Sequence, residues 1–291
     1  MGERFEDRFW QSADGLSLHY RDYPGPDEPQ GEPVLCLHGL TRNARDFHDL
    51  ALHLAQHRRV LVPEMRGRGE SDYATDPASY APPQYVDDVE RLLDELAIER
   101  LVIVGTSLGG LMAMLMAQDW KGRGARTLSA LVLNDIGPEI EPAGLERIAG
   151  YVGQGRSYPT WLHAARSLCE VHSDAYPGYE LDDWLAMAKR TLTVSQNGRI
   201  AYDYDMGIAE PFSAPGGAKP ANMWLAYEAL RDVPTLLIRG ELSDLLSVDT
   251  AERMGARHSG ITQITVPQIG HAPTLDEPEA RAAIDALLAQ I

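Results

Sequence analysis

A serine with the spacing of an activated nucleophile lies in the segment LVIVGTSLGGLMAMLM, residues 101–116. Its first residues are apolar, as in a buried parallel strand, and the Leu, Met and Ala residues that follow favour a helix. Gly105 and Gly109 flank Ser107 at a distance of two residues, where small residues let a strand and a helix approach around a sharp turn. The amide of Leu108 and the helix N-terminus then point to where an oxyanion would form. This pattern predicts a nucleophilic serine at a strand-to-helix turn.

A serine hydroxyl is a weak nucleophile at neutral pH, so Ser107 needs a base, and the base needs an acid that orients it. Loops at the carboxyl ends of parallel strands converge on one crevice, which restricts the search to residues just after strands. Among nine histidines, His271 is the one that directly follows the last predicted strand, and we predict it as the general base. His53 and His57 have the spacing of a metal pair but lack the usual glutamate and a third ligand, so no metal is predicted.

Three carboxylates compete for the role of the acid. Asp244 follows a predicted strand that ends at Ile238, and it falls between Ser107 and His271 in chain order, as the acid does in enzymes with a nucleophile elbow. Asp135 follows the preceding sheet strand and is its competitor, while Glu241 is a third candidate closer to the strand end. We predict Asp244.

The order of apolar runs indicates an α/β fold. A hairpin with its turn at Asp14-Gly15 is followed by short apolar strands that alternate with amphipathic helices, which predicts a mostly parallel sheet covered on both faces. From residue 138 to about 220 no convincing buried strand occurs, and short helical stretches are broken by Gly and Pro. We therefore predict a core formed by residues 1–137 and 221–291, with a mainly helical cap insertion at 138–220.

The order Ser107, Asp244, His271, together with His38-Gly39 after an early strand, resembles the α/β-hydrolase family over nearly the whole chain. The resemblance implies about eight strands with an inserted cap, no cofactor, and a second oxyanion-hole amide at Leu40 beside that of Leu108. Members with aspartate as nucleophile are epoxide hydrolases and dehalogenases, whereas position 107 is serine. The resemblance thus implies a carboxylesterase that acts through an acyl-enzyme. A lactonase, a carbon–carbon hydrolase and a non-catalytic ligand-binding protein are the alternatives.

Substrate choice is expected to depend on the insertion and on the loop after His38-Gly39. Large apolar side chains such as tryptophan and methionine often line binding clefts. The candidates for an acyl pocket, which could instead pack the core of the insertion, are Trp161, Trp184, Met187, Met223, Trp224 and Tyr227. In the loop, Arg42 or Arg45 could meet a substrate carboxylate, although a solvated arginine is the simpler interpretation.

Composition restricts the partners. The 291 residues carry a net charge of −17, which argues against nucleic acid and anionic membranes, since phosphate binding needs clustered Lys and Arg. No apolar run reaches the roughly 20 residues of a membrane helix, and the first residues lack a signal-peptide core. We expect a cytoplasmic protein that acts on a small acyl substrate, with Cys36 and Cys169 as reduced thiols.

Overall fold

The computed structural model describes residues 5–213 and 223–291. Within these residues eleven strands occur: β1 (Glu6–Gln11), β2 (Ser17–Tyr23), β3 (Val34–Leu37), β4 (Val60–Pro63), β5 (Arg100–Thr106), β6 (Thr127–Asn134), β7 (Ser157–Tyr158), β8 (Leu192–Val194), β9 (Ile200–Tyr202), β10 (Thr235–Gly240) and β11 (Ile261–Val266). Eight of them form one sheet in the order β1-β2-β4-β3-β5-β6-β10-β11. The six strands β4, β3, β5, β6, β10 and β11 run parallel to one another. Strand β1 pairs antiparallel with β2, and β2 pairs antiparallel with β4. The predicted mostly parallel eight-stranded sheet is confirmed.

Helices cover both faces of the large sheet. The α-helices of the described residues are α1 (His48–Leu54), α2 (Pro82–Glu95), α3 (Leu108–Arg123), α4 (Pro142–Tyr151), α5 (Trp161–His172), α6 (Leu181–Thr191), α7 (Glu210–Ser213), α8 (Trp224–Glu228), α9 (Val248–Arg257) and α10 (Pro278–Leu288), and short 3-10 turns span Ala44–Phe47, Pro77–Ser79 and Met206–Ala209. None of these helices is long and apolar enough to cross a lipid bilayer.

Alternate residues of the central strands supply two separate cores. In β5, Leu101 and Ile103 pack with α2 and α3, whereas Val102 and Val104 pack with α1 and α10 on the other face. A strand that is apolar on both faces is stable only between two layers of helix, which explains the continuous apolar run in the sequence. Cys36 belongs to the second core, and both it and Cys169 are free thiols.

The insertion, defined here as residues 138–220, contains more than the predicted helices. Helices α4 to α6 accompany a three-stranded antiparallel sheet in the order β7-β9-β8, which the sequence analysis missed. These strands have only two or three residues each, too few to show an alternating pattern. The predicted boundary at 220 lies outside the described residues, and the division into core and cap stays a prediction.

Candidate functional site

Ser107 occupies the turn between β5 and α3. Its backbone has φ 52° and ψ −115°, a conformation that L-residues rarely adopt. The turn is possible because its flanking glycines leave no room for a side chain: a Cβ on Gly109 would lie 2.0 Å from the Leu37 carbonyl oxygen, and one on Gly105 would lie 2.6 Å from the Gly110 nitrogen. The strand, turn and helix expected from the G-x-S-x-G pattern are therefore present, and the turn presents the Ser107 hydroxyl to a cavity.

Ser107, His271 and Asp135 form a chain of hydrogen bonds. The Ser107 hydroxyl lies 2.9 Å from His271 Nε2, and His271 Nδ1 lies 2.7 Å from Asp135 Oδ2. Because an ionised carboxylate only accepts, Nδ1 carries the proton and Nε2 is left to accept from the serine. This tautomer is the one that can remove the hydroxyl proton.

The Asp135 carboxylate is surrounded by hydrogen-bond donors. Its side chain is fully buried, and it also accepts hydrogen bonds from the Gly240 amide at 2.8 Å and from the Ser243 hydroxyl at 2.6 Å. Three donors around one carboxylate offset the cost of burying its charge. They also fix the orientation of the oxygen that faces His271.

The prediction of Asp244 as the acid that orients His271 is wrong. The Asp244 carboxylate pairs instead with Arg147 of α4, with Nη2 2.7 Å from Oδ1, and about a third of its side chain is exposed. Burial raises the pKa of Asp244, but the Arg147 guanidinium outweighs burial and gives a net lowered pKa, with a smaller contribution from His271. Glu241, the third candidate, accepts from the Gln268 amide. Asp135, the competitor, is the residue in contact with His271.

The position of Asp135 in the sheet contains a signal that could have identified it. Strand β6 lies between β5 and β10, so of these two candidate strands β6 has its carboxyl end nearer to Ser107. Asp135 comes one residue after the end of β6, whereas Asp244 comes four residues after the end of β10. Chain order alone favoured the more distant residue.

The two amides predicted to form an oxyanion hole belong to Leu108, which follows Ser107 directly, and to Leu40, which lines the same cavity. Leu108 begins α3, and the first amides of a helix have no partner within it. The peptide group that joins Gly39 to Leu40 is fixed by two hydrogen bonds to its carbonyl oxygen. Gly39 O accepts from His38 Nδ1 at 2.7 Å and from the Arg42 amide at 3.1 Å. Since a peptide is planar, fixing that carbonyl also fixes the Leu40 N–H on its opposite side. The role of these amides as an oxyanion hole stays a prediction.

His38 is a buried neutral side chain that supports this loop. Its Nε2 accepts from the Met65 amide at 3.1 Å while Nδ1 donates to Gly39, which requires one protonated and one unprotonated nitrogen. Burial lowers the pKa of His38 to about 4. The imidazole therefore keeps the loop in place without carrying charge at neutral pH.

A cavity of about 80 Å³ opens in front of Ser107. Arg42 and Met187 line it, as the sequence predicted for a substrate pocket. The insertion also contributes side chains that the sequence analysis did not single out, namely Tyr151, His172, Tyr176 and Tyr202. The cavity is small next to the clefts that hold drug-sized ligands, which favours a short acyl group.

The tryptophans predicted to line the pocket lie elsewhere. Trp184 packs edge to face on Tyr179, with ring centroids 5.2 Å apart, and Trp161 belongs to the same core of the insertion. Trp224 lies under the guanidinium of Arg257, 4.1 Å from its ring centroid, in the large core. Met223 and Tyr227 also pack there rather than at the cavity. The pocket interpretation is therefore wrong for these residues, and the alternative of core packing is the one observed, because large apolar side chains serve equally well as core.

Of the two loop arginines, Arg45 has a structural role. Its Nη2 lies 2.6 Å from Asp203 Oδ2, and its guanidinium also donates to the carbonyls of Arg190 and Leu192. These contacts tie the loop to the insertion.

His172 provides a test of the cavity's electrostatics. Burial, and then the charges of Arg42 and Arg147, lower its pKa from 6.5 to about 4. Between pH 6.5 and about 4, the unfolded chain therefore binds more protons than the folded chain, and the stability of the fold decreases as the pH drops below 6.5. Between pH about 7.5 and about 5.5, we expect the free energy of unfolding of wild type to fall by about 1 kcal/mol more than that of His172→Gln, as measured by urea unfolding. His57→Gln, at an exposed position, serves as the control, and an equal loss in wild type and His172→Gln would contradict the assignment.

The fold and this arrangement define the class of protein. The model of the alpha/beta hydrolase family matches residues 34–284, and the chain belongs to this family. It is 34% identical over 278 residues to the 3-hydroxybutyrate-oligomer hydrolase of Cupriavidus necator, with 93% of each chain covered. It is 26% identical to a putative 2-succinyl-6-hydroxy-2,4-cyclohexadiene-1-carboxylate synthase of Bacillus subtilis, covering 91% of this chain and 92% of that one.

A solved structure extends the comparison. An alpha/beta hydrolase from Novosphingobium aromaticivorans is 55% identical, with all of both chains covered and a TM-score of 0.93. Family and relatives together support a hydrolase.

Proposed function

We propose that this protein is a serine hydrolase that cleaves short-chain carboxylic esters, in particular esters of hydroxy acids. The observation that carries the proposal is the chain from Ser107 Oγ through His271 to buried Asp135 at a small cavity. The 3-hydroxybutyrate-oligomer hydrolase of Cupriavidus necator, similar over 93% of this chain, supports the choice of substrate class. The small cavity beside Ser107 is consistent with a short acyl group such as hydroxybutyryl.

The proposed reaction has two halves. His271 Nε2 takes the proton of Ser107 as its oxygen attacks the ester carbonyl, and the amides of Leu40 and Leu108 stabilise the resulting oxyanion. The C–O bond to the alcohol then breaks, and His271 returns its proton to the departing oxygen. Water attacks the acyl-serine with His271 again as base, which releases the acid and restores Ser107. Asp135 stabilises the imidazolium in both halves.

A substrate panel tests this proposal. We expect hydrolysis of 4-nitrophenyl butyrate and of the linear dimer of 3-hydroxybutyrate, and we expect 4-nitrophenyl palmitate to react at least about tenfold more slowly, because overfilling a small cavity costs binding energy. Product release is followed by absorbance and by chromatography. Exclusive turnover of a lactone or of a vinylogous diketo acid would favour the lactonase or carbon–carbon hydrolase instead, and no turnover of any would favour a ligand-binding protein.

A further inference from the structure

Arg42 is a charged residue in the wall of the Ser107 cavity. Its stem packs against Gly39, two residues after the end of β3, and it lines the cavity together with Ser107. Arg42 and Met187 also line a second cleft of about 160 Å³, whose other charged residues are Asp183, Arg190 and Asp276. Arg42 and Met187 therefore border both spaces.

One side of this guanidinium is occupied and the other is available. Asp46 accepts from Nε through Oδ2 and from Nη2 through Oδ1, both at 2.8 Å. Between residues 5–213 and 223–291, no acceptor is within hydrogen-bond distance of Nη1. Arginine has five N–H donors in a rigid plane, so the edge formed by Nη1 and Nη2 can still bind a planar anion through two parallel bonds. Asp46 thus holds Arg42 in place and leaves its outer edge for a ligand.

The surroundings favour an anion at that edge. Burial and the Asp46 carboxylate act in opposite directions on Arg42, and the pKa of the guanidinium is raised, so it stays charged. His172 is neutral, and its lowered pKa reflects burial and the positive charges of Arg42 and Arg147. Asp46 is the one carboxylate among the described residues that line this cavity. The cavity lining thus holds one guanidinium and one carboxylate, and the unpaired edge of Arg42 is the positively charged surface it offers to a ligand beside the serine.

We propose that Arg42 binds a carboxylate of the substrate, and that the enzyme prefers esters of hydroxy acids whose free carboxylate lies a few atoms from the scissile bond. The inference rests on the proposed ester hydrolysis and adds its determinant of specificity. A planar carboxylate matches the free edge of the guanidinium, whereas a neutral ester or amide at that end offers no charge to it.

The test compares two substrates that differ only in charge, 3-acetoxybutanoate and 3-acetoxybutanamide. We expect wild type to show a kcat/KM about 10- to 100-fold higher for the carboxylate, the value of hydrogen bonds to a charged group. In Arg42→Gln this ratio is expected to fall to about 1, mainly through KM, and Arg42→Lys should retain part of it. Because the ratio is taken within one preparation, a partly unfolded variant does not alter it.

Arg147→Gln is the matched control, since Arg147 is a cation near the cavity that is paired with Asp244 and does not line it. It should keep the wild-type ratio. A wild-type ratio of about 1, or a ratio that survives in Arg42→Gln or disappears in Arg147→Gln, would overturn the inference while leaving ester hydrolysis intact.

A binding measurement keeps the two proposals separable. If wild type hydrolyses neither ester, the proposed function fails, and calorimetry with 3-hydroxybutyrate and 3-hydroxybutanamide still tests Arg42. The inference predicts that the carboxylate binds at least about tenfold more tightly to wild type than the amide does, and that Arg42→Gln removes the difference. Equal binding of the two compounds to wild type would contradict it.

Discussion

Asp135→Asn is expected to lower kcat/KM for 4-nitrophenyl acetate by about 10⁴-fold, with KM little changed. The asparagine amide has nearly the same size as the carboxylate, so the buried position stays filled. Its amide group can donate to His271 Nδ1, which places the imidazole proton on Nε2 and leaves that nitrogen unable to accept from Ser107. It also removes the charge that stabilises the imidazolium. Steady-state kinetics and a thermal melt of the same preparation measure the effect.

Asp244→Asn is the matched control for this prediction. Asp244 pairs with Arg147 rather than with His271, so we expect kcat/KM to stay within about tenfold of wild type. A loss in Asp244→Asn as large as that in Asp135→Asn would show that the assignment of the acid is wrong.

Ser107→Ala is expected to reduce kcat by on the order of 10⁶-fold, because the attacking oxygen is removed and only the binding contributions remain. The hydroxyl's hydrogen-bond partner is His271 Nε2, so folding should be unaffected, which a thermal melt checks. Activity within a few-fold of wild type would eliminate Ser107 as the nucleophile. Ser243→Ala, at the hydroxyl that donates to Asp135, is a useful comparison with a smaller expected loss.

The parts of the fold that follow from local patterning could be predicted from the sequence. Val34–Leu37 is apolar throughout because β3 is buried on both faces, and it is the early strand expected directly before His38-Gly39. The turn at Ser107 could equally be predicted from the sequence, since the close approaches at Gly105 and Gly109 tolerate no larger residue. Such features depend on a residue's immediate neighbours along the chain.

The acid of the site could not be derived in the same way. Asp135 and Asp244 both follow sheet strands, and the choice depends on which carboxylate reaches His271 in space. Arg147, which neutralises Asp244, lies almost a hundred residues away in α4. The local sequence around Asp244 therefore does not indicate that Arg147 is its partner.

The cavity walls were the least predictable part. Trp184 and Met187 lie on the same helix, yet Trp184 packs inward on tyrosines and Met187 reaches the cavity. Amphipathic periodicity indicates which residues are buried but not whether they are buried against core or against a ligand. The same ambiguity applied to Arg42 and Arg45, whose different roles depend on Asp46 and Asp203.

Covalent labelling tests the central claim, an acyl-enzyme formed on Ser107, most directly. A fluorophosphonate is mixed with wild type, Ser107→Ala and Asp135→Asn, and the adduct is located by mass spectrometry after trypsin digestion. Wild type is predicted to carry one adduct, on Ser107 within the peptide 101–121, Asp135→Asn to label far more slowly, and Ser107→Ala to carry none. Labelling of another residue, or unlabelled wild type that still hydrolyses esters in the presence of the reagent, would contradict the account.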